Sequence, residues 1–109
     1  MMTNDQHAPG AKLDAGKPRV GLVLGSFSRA LREVCEVGTY GANFYSPNGW
    51  LSVENGLERY TDAMLRHYLA EEIEGSIDPA TNLKHAAQVA WNALARLELM
   101  LRAERETEC

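Results

Sequence analysis

The chain has 109 residues, 45% hydrophobic and 24% charged, which is typical of one globular domain with a modest core. Its formal charge of −4 at pH 7 argues against a surface that coats nucleic acid. The chain has only two cysteines and no recognisable signal peptide, which argues against a disulfide framework. Its longest apolar run, residues 20–24, is too short for a membrane helix. We therefore expect a cytoplasmic protein.

The chain is predicted to be irregular up to residue 19. Residues 1–11 are polar and should form a flexible tail. Residues 12–19, with the sequence KLDAGKPR, form a charged loop in which Gly16 and Pro18 prevent regular structure. The β-branched residues 20–24 are predicted to be either a strand or the lead-in to a helix.

A first helix is predicted from Ser26, a suitable N-cap, to about Val37. Gly38 should stop it in a left-handed conformation. Its apolar stripe consists of Phe27, Leu31, Val34 and Cys35. Residues 39–55 then predict a short helical or irregular segment followed by an aromatic loop.

A second helix is predicted from about Val53 to Glu74, ending at Gly75. Its apolar face should contain Leu57, Tyr60, Met64 and Tyr68. This helix forms the first arm of a long C-terminal hairpin.

The other arm is predicted to start at Asp78 and Pro79, because aspartate caps a helix and proline fits its first position. It should extend to about Arg105, leaving residues 106–109 frayed. Its many alanines permit close approach of another helix, so a homo-oligomer is expected. The predicted fold is mainly α: a small helical bundle over residues 12–105, with a long C-terminal hairpin and an irregular N-terminal basic loop.

Each arm of this hairpin carries a row of polar side chains on one face, because the members are spaced by three or four residues. The rows are His67, Glu71 and Glu74 on one arm, and His85, Gln88 and Asn92 on the other. Facing rows of this kind can form a pocket for a metal, a nucleotide or both. The alternatives are a solvated acidic helix end and a polar contact between helices.

Basic and aromatic residues before the hairpin are further candidates for ligand binding. Lys12, Lys17 and Arg19 cluster beside Asp14 on a glycine-containing loop, which suits phosphate, although a solvated surface loop is the common alternative. Aromatic side chains of the 39–55 segment could stack on a base or close the edge of the core; these are Tyr45 and Trp50.

These features occur in an order that resembles one known family. The pieces are KxDxGKPR, VGxYGAxxY, an NxW-type aromatic turn, LRHxLA, IDP, and LxHxA followed by an asparagine. In this order they resemble the dATP/dGTP diphosphohydrolase N-terminal domain family, which is largely known from phage genomes. The resemblance covers residues 12–99, nearly the whole predicted domain.

The resemblance implies a small helical protein that releases pyrophosphate from purine deoxynucleoside triphosphates with Mg²⁺ or Mn²⁺. If the chain is phage-encoded, it would act in the host cytoplasm on a purine nucleotide, without a membrane or extended nucleic acid as partner. For a hydrolase, the predicted catalytic residues are His67, Glu71 and His85, and the predicted metal ligands are Glu71, Glu74 and Asp78. Of these, His67, Asp78 and His85 match positions of the family pattern. The implied nucleotide- and phosphate-binding residues are Lys12, Asp14, Lys17, Arg19, Tyr45, Trp50, Arg66 and Asn92.

The chain departs from the family pattern where acids and imidazoles are usual. Glu74-Gly75 replaces Gly-Glu, Ala80 replaces an acid, Gln88 replaces a histidine, and Phe44 replaces a lysine. Neutral side chains cannot substitute electrostatically for metal ligands. Two functions therefore stay open: a pyrophosphohydrolase, or a sponge that sequesters a cyclic or ADP-ribose-type immune signal without a cofactor. A structural module has no specific feature in its favour.

Overall fold

The computed structural model describes residues 7–108, with side chains up to Thr107, and is mainly α-helical, as predicted. The elements in chain order are α1 Val20–Ser26, α2 Ser28–Phe44, a 3-10 helix Gly49–Ser52, α3 Gly56–Glu74, β1 Ile77–Asp78, β2 Leu83–Lys84 and α4 His85–Glu108. Within this part of the chain, no helix combines the length and apolar character needed to cross a membrane. Residues 1–6 of the predicted tail lie outside the described residues.

The antiparallel arrangement of α3 and α4 is the centre of the fold. These helices share the most extensive contact, α2 packs across α4, and α1 touches mainly α2. The interior is unusual in its polarity. Among the described residues, the buried apolar side chains are Val34, Ala87 and Ala95, whereas the buried polar ones are Asp78, His85, Gln88 and Asn92.

The predicted bounds of the first helix are wrong at both ends. Residues 20–26 form the separate helix α1, and α2 begins at Ser28 and continues through Gly38 to Phe44. Gly38 does not adopt a left-handed conformation. A Cβ atom there would lie 3.1 Å from Nε1 of Trp91, so glycine instead permits α2 to approach α4 closely. The helix therefore extends through the residue that was expected to stop it.

The predicted start of the last helix is also wrong. Residues 79–82 form a single turn, closed by the Asn82 N–H donating to the Asp78 carbonyl at 2.8 Å. Asn82 then adopts a left-handed conformation with φ of 61° and ends the turn. Strand β1 pairs with β2 in an antiparallel hairpin, and α4 begins only at His85. Asp78 does accept the expected capping bond, from the Ala80 N–H at 2.9 Å, but this bond closes a turn.

The predicted limits of the two long helices need smaller corrections. Helix α3 starts at Gly56, three residues after Val53, because Asn55 is left-handed with φ of 57°. It ends at Glu74, and Gly75 has a positive φ of 103°, so the predicted stop is confirmed. Helix α4 continues beyond Arg105 to Glu108.

An aromatic cluster joins the 3-10 helix to α3 and α4. The rings of Trp50, Tyr60 and Trp91 are arranged edge to face, with centroid separations of 5.6 to 6.1 Å. The Tyr60 hydroxyl donates to the Trp50 carbonyl oxygen at 2.6 Å, and burial raises the pKa of this tyrosine. The cluster fixes the aromatic loop against the helical hairpin.

Two glycines of α2 provide a matched test of this packing. Gly41→Ala should raise the free energy of unfolding by roughly 0.5–1 kcal/mol, since a Cβ there meets nothing within 4 Å. Gly38→Ala should lower it by about 1 kcal/mol, because Trp91 is held by Trp50 and Tyr60 and cannot move away freely. Urea denaturation at one fixed protein concentration measures both. Equal stabilisation by the two substitutions would contradict the close approach of α2 to α4.

Candidate metal and nucleotide site

His85 is the most deeply buried large side chain, with 2% of its surface exposed. It is the first residue of α4, and its backbone N–H donates to the Ser76 carbonyl at 2.9 Å, so the β-hairpin fixes its position. Its Nδ1 lies 2.9 Å from Nδ1 of His67 on α3. The predicted facing of the two histidines is therefore confirmed.

The second ring nitrogen of His85 is held by Glu74 at the end of α3. Nε2 of His85 lies 2.5 Å from Oε1 of Glu74. A carboxylate can only accept, so Nε2 carries the proton of this bond. In the neutral ring, Nδ1 of His85 then presents a lone pair toward His67. Glu74 thus selects the tautomer that leaves the inward-facing nitrogen free to bind a proton or a cation.

Asp78 of β1 completes a compact group with the two histidines. Its Oδ2 lies 4.0 Å from Nδ1 of His67 and accepts a hydrogen bond from Nε2 of Gln88 at 3.1 Å. One ligand atom each from His67, Asp78 and His85 lie within 4.8 Å of one another. We call these three residues the HDH cluster. Its ligand atoms converge as the donors of a metal site do.

The donor set of the HDH cluster fits a divalent transition ion. Two ligands at right angles on an ion with bonds of about 2.1 Å lie about 3 Å apart, close to the 2.9 Å between the Nδ1 atoms. Two imidazoles and one carboxylate suit Mn²⁺ or Zn²⁺ better than Mg²⁺, which prefers oxygen ligands. Glu74 stands where a carboxylate commonly orients a metal-binding imidazole.

Electrostatics keep the cluster in a form able to bind a cation. Burial lowers the pKa of His67, with a further lowering by His85 and Arg66 that Asp78 and Glu74 oppose. Burial raises the pKa of Asp78, but hydrogen bonds from Ala80 and Gln88 and the nearby histidines bring it below its ordinary value. A neutral imidazole beside an ionised carboxylate needs little proton release before metal binds.

A cavity of about 840 Å³ lies between α2, the aromatic loop and the hairpin. Its walls include the Trp50, Tyr60 and Trp91 cluster and the polar side chains of Thr81 and Gln88. Nε2 of Gln88 also lies within hydrogen-bonding distance of Asp78 Oδ2 and Thr81 Oγ1. Gln88, which lines the cavity, thus contacts Asp78 directly, so the cavity and the HDH cluster are neighbours, although no residue of the cluster lines the cavity.

The structure brings together most of the predicted site residues of the hairpin and aromatic loop. Four of the predicted nucleotide-binding residues line the cavity: Tyr45, Trp50, Arg66 and Asn92. Glu74 was predicted to bind the metal directly, but in the structure it contacts the cluster only through its hydrogen bond with His85. Glu71 is half-buried on α3 but is not part of the converging group.

The predicted phosphate loop lies apart from this cavity. Lys12, Asp14, Lys17 and Arg19 are exposed, and none of them lines the aromatic cavity. Asp14, Lys17 and Arg19 border a separate open cleft before α1. The loop and the HDH cluster are thus separate features of this structure, and the phosphate-binding role of the loop stays a prediction.

Several cavity residues were not predicted as site residues from the sequence, although Tyr60 was predicted on the apolar face of its helix. They are Arg59, Tyr60, Thr81 and Trp91. Trp91 follows Gln88 by three residues on α4, so helical spacing could have placed it beside the polar row. Thr81 carried no comparable signal, because its position depends on the hairpin that replaces the predicted helix start.

Acid should destabilise the metal-free protein near neutrality. Unfolded His67 takes up a proton near pH 6.5, whereas the folded protein, with the lowered pKa, does so only at lower pH. The unfolded state then binds more protons, so stability is complete above pH 6.5 and falls as the pH drops through that value. Asp78 adds a loss of the same sign below about pH 4. Urea midpoints in EDTA from pH 8 to pH 5 should show a smaller decline for His67→Gln; an unchanged decline would contradict this account.

Comparison with known proteins supports the family resemblance. The family model described as dATP/dGTP diphosphohydrolase, N-terminal, matches residues 7–109. Neither the curated proteins nor the solved structures gave a match. Because the matched range covers nearly the whole chain, this protein belongs to the dATP/dGTP diphosphohydrolase N-terminal family.

Proposed function

We propose that the protein binds a purine deoxynucleoside triphosphate and hydrolyses it to the monophosphate and pyrophosphate. The observation that supports this most is that Gln88, a wall residue of the aromatic cavity, donates a hydrogen bond to Asp78 of the HDH cluster. A volume of about 840 Å³ is within the range of small-ligand pockets. The family description names the same substrate class.

The aromatic side of the cavity suits the base. Tyr45 lines the cavity and is 81% exposed. Its ring meets Phe44 edge to face, with centroids 4.8 Å apart, and the rest of the ring is accessible to a ligand. Trp50 is fixed by its contacts with Tyr60 and Trp91 and offers a rigid face or edge. Stacking on aromatic rings accepts any base, whereas buried amides such as Asn92 can discriminate among base edges.

Two arginines supply positive charge to the same cavity. Arg59 and Arg66 both line it, and Arg66 immediately precedes His67 of the cluster. A guanidinium can bind phosphate oxygens through two hydrogen bonds. Arg66 is therefore the residue best placed to hold phosphate beside the cluster. Lys17 and Arg19 would take part only if their loop reached the cavity.

The catalytic ion would be held by His67, Asp78 and His85, and the donor set favours Mn²⁺ over Mg²⁺. When bound, such an ion neutralises phosphate charge and makes a water molecule more acidic. Glu74 would hold the His85 ring in the binding tautomer, and Gln88 would hold the Asp78 carboxylate. Glu71, predicted as a catalytic residue and metal ligand, is retained in the proposal as a catalytic residue outside the converging group.

Binding without cleavage is a second candidate, supported by Gln88. This amide stands where relatives commonly have a histidine, and it donates to Asp78 instead of adding a ligand. A site with fewer ligands could sequester a nucleotide, including a cyclic or ADP-ribose-type signal, and leave it intact. Recovery of unchanged ligand after denaturation would favour this candidate over hydrolysis.

Activity assays with cluster variants test the proposed hydrolysis. Pyrophosphate release from dATP and dGTP should require a divalent ion and be greater with Mn²⁺ than with Mg²⁺. His67→Ala and Asp78→Asn should each reduce it by roughly 100-fold or more, because each removes a ligand of the ion. Glu74→Gln should reduce it by roughly 10- to 100-fold by weakening metal binding.

The matched control is Glu72→Gln, which changes an exposed acid on the same helix outside the cluster. It should retain wild-type activity. Full activity in His67→Ala, or equal losses in Glu74→Gln and Glu72→Gln, would contradict the proposed site. Circular dichroism of each variant separates loss of activity from loss of fold.

Tyr45 tests the base end independently of the chemistry. Tyr45→Ala should weaken binding of a non-hydrolysable dATP analogue by roughly 5- to 150-fold, the range expected for one base-stacking contact. Tyr45→Phe should bind like the wild type, since it keeps the ring. Tyr68→Ala, at an exposed tyrosine of α3 that does not line the cavity, is the control. Calorimetric titration would contradict the stacking role if Tyr45→Ala and Tyr68→Ala bound equally well.

A further inference from the structure

Helix α1 is apolar on every side and is nearly uncovered. From Val20 to Phe27 it contains no charged residue. None of the residues of α1 is buried. The large side chains of this segment are all at least half exposed: Val20, Leu22, Val23, Leu24 and Phe27. A helix of seven residues is not stable alone in water, and one that is apolar all round is normally buried. Some further surface must therefore cover it.

The outer face of α4 presents a second apolar surface. Residues spaced by three or four form an uninterrupted row on the side away from His85 and Asn92: Ala86, Ala90, Leu94, Leu97 and Leu101. The three leucines are 50–52% exposed. Small and large apolar residues at this spacing form the seam between packed helices. We call this row the α4 seam.

The exposed area of the chain is large enough for a stable interface. Its accessible surface is 8,855 Å², whereas a compact protein of 12.1 kDa exposes about 6,000 Å². The exposed segment before α1 accounts for part of the excess. The whole excess, about 2,800 Å², is about 3.5 times the roughly 800 Å² that each partner buries in a standard interface. The radius of gyration is 18.9 Å, larger than the value of about 13 Å for a compact chain of this length, which also indicates an extended molecule with much exposed surface.

The interior of one chain offers little apolar stabilisation of its own. Of the side chains described, only Val34, Ala87 and Ala95 are both apolar and buried. A domain of this size depends on a larger apolar core or on association. If folding depends on association, the molecule that covers these surfaces must be present whenever the chain folds. A second copy meets this condition, and it carries the same two uncharged surfaces.

We propose that a second copy of this chain covers α1 and the α4 seam in a two-fold symmetric homodimer. Neither α1 nor the α4 seam contains a charged side chain, so a contact between two copies of net charge −4 would be formed mainly by apolar side chains. Obligate homodimer interfaces have this apolar character. The proposal concerns assembly and does not depend on nucleotide binding or hydrolysis.

Light scattering after size-exclusion chromatography tests the dimer with the full-length chain. Between about 1 and 100 µM, the mass should be twice 12.1 kDa, and the urea midpoint should rise with protein concentration. A monomeric mass with a concentration-independent midpoint would overturn the proposal. Association with neutral lipid vesicles by a chain that is monomeric without them would overturn it as well.

Substitutions test whether α1 and the α4 seam form the contact between the two copies. The double substitution Leu94→Glu with Leu97→Glu, and separately Val23→Asp, should give monomers or unfolded chains. Ile73→Glu, at an 84% exposed position of α3 outside both surfaces, should leave a folded dimer. Unfolding of a seam variant supports the proposal when Ile73→Glu stays folded, because the seam side chains are half exposed within one chain. A folded wild-type-like dimer in the seam variant or in Val23→Asp would overturn the assigned interface.

Discussion

The arrangement of this protein depends on the burial of one imidazole with both of its nitrogens paired. A buried polar group without partners is costly, so His85 can occupy the interior only when α3 brings His67 and Glu74 to it. These two contacts fix the axial position of α3 against α4. The same requirement is met throughout the described residues, where no buried side-chain nitrogen or oxygen atom lacks a hydrogen-bond partner. The polar interior thus determines how the hairpin packs.

This polar interior links the proposed chemistry to the proposed assembly. The interior positions between α3, α4 and the β-hairpin would hold apolar side chains in an ordinary helical protein, yet here they hold Asp78, His85, Gln88 and Asn92. A binding site of this kind takes the place of a hydrophobic core and contributes less to stability. Many large apolar residues lie on the outside instead, among them those of α1 and the α4 seam and Leu65, Leu69 and Ile73 of α3. We infer that the chain recovers the missing stability by association with a second copy.

Local patterns in the sequence predicted the features that depend on local geometry. Helical spacing placed His67 opposite His85, and Gly75 marked the end of α3, because both follow from the periodicity and backbone freedom of a single segment. The errors occurred where distant contacts decide the outcome. Asp78 makes its capping bond, but pairing of β1 with β2 turns a helix start into a hairpin. Gly38 stays helical because Trp91 packs against it, and Trp91 is 53 positions away in the chain. Glu74 orients His85 only because the β1–β2 hairpin, which the sequence did not predict, places the His85 ring within hydrogen-bonding distance of Glu74.

The central claim is that His67, Asp78 and His85 form a metal centre beside a nucleotide cavity. Anomalous diffraction at the manganese edge, from crystals grown with Mn²⁺ and a non-hydrolysable dATP analogue, tests it most directly. We predict a peak bonded to Nδ1 of both histidines and to the Asp78 carboxylate, with the base of the analogue against Tyr45. A manganese peak elsewhere with none at this cluster, or an analogue bound away from the aromatic cavity, would contradict the account.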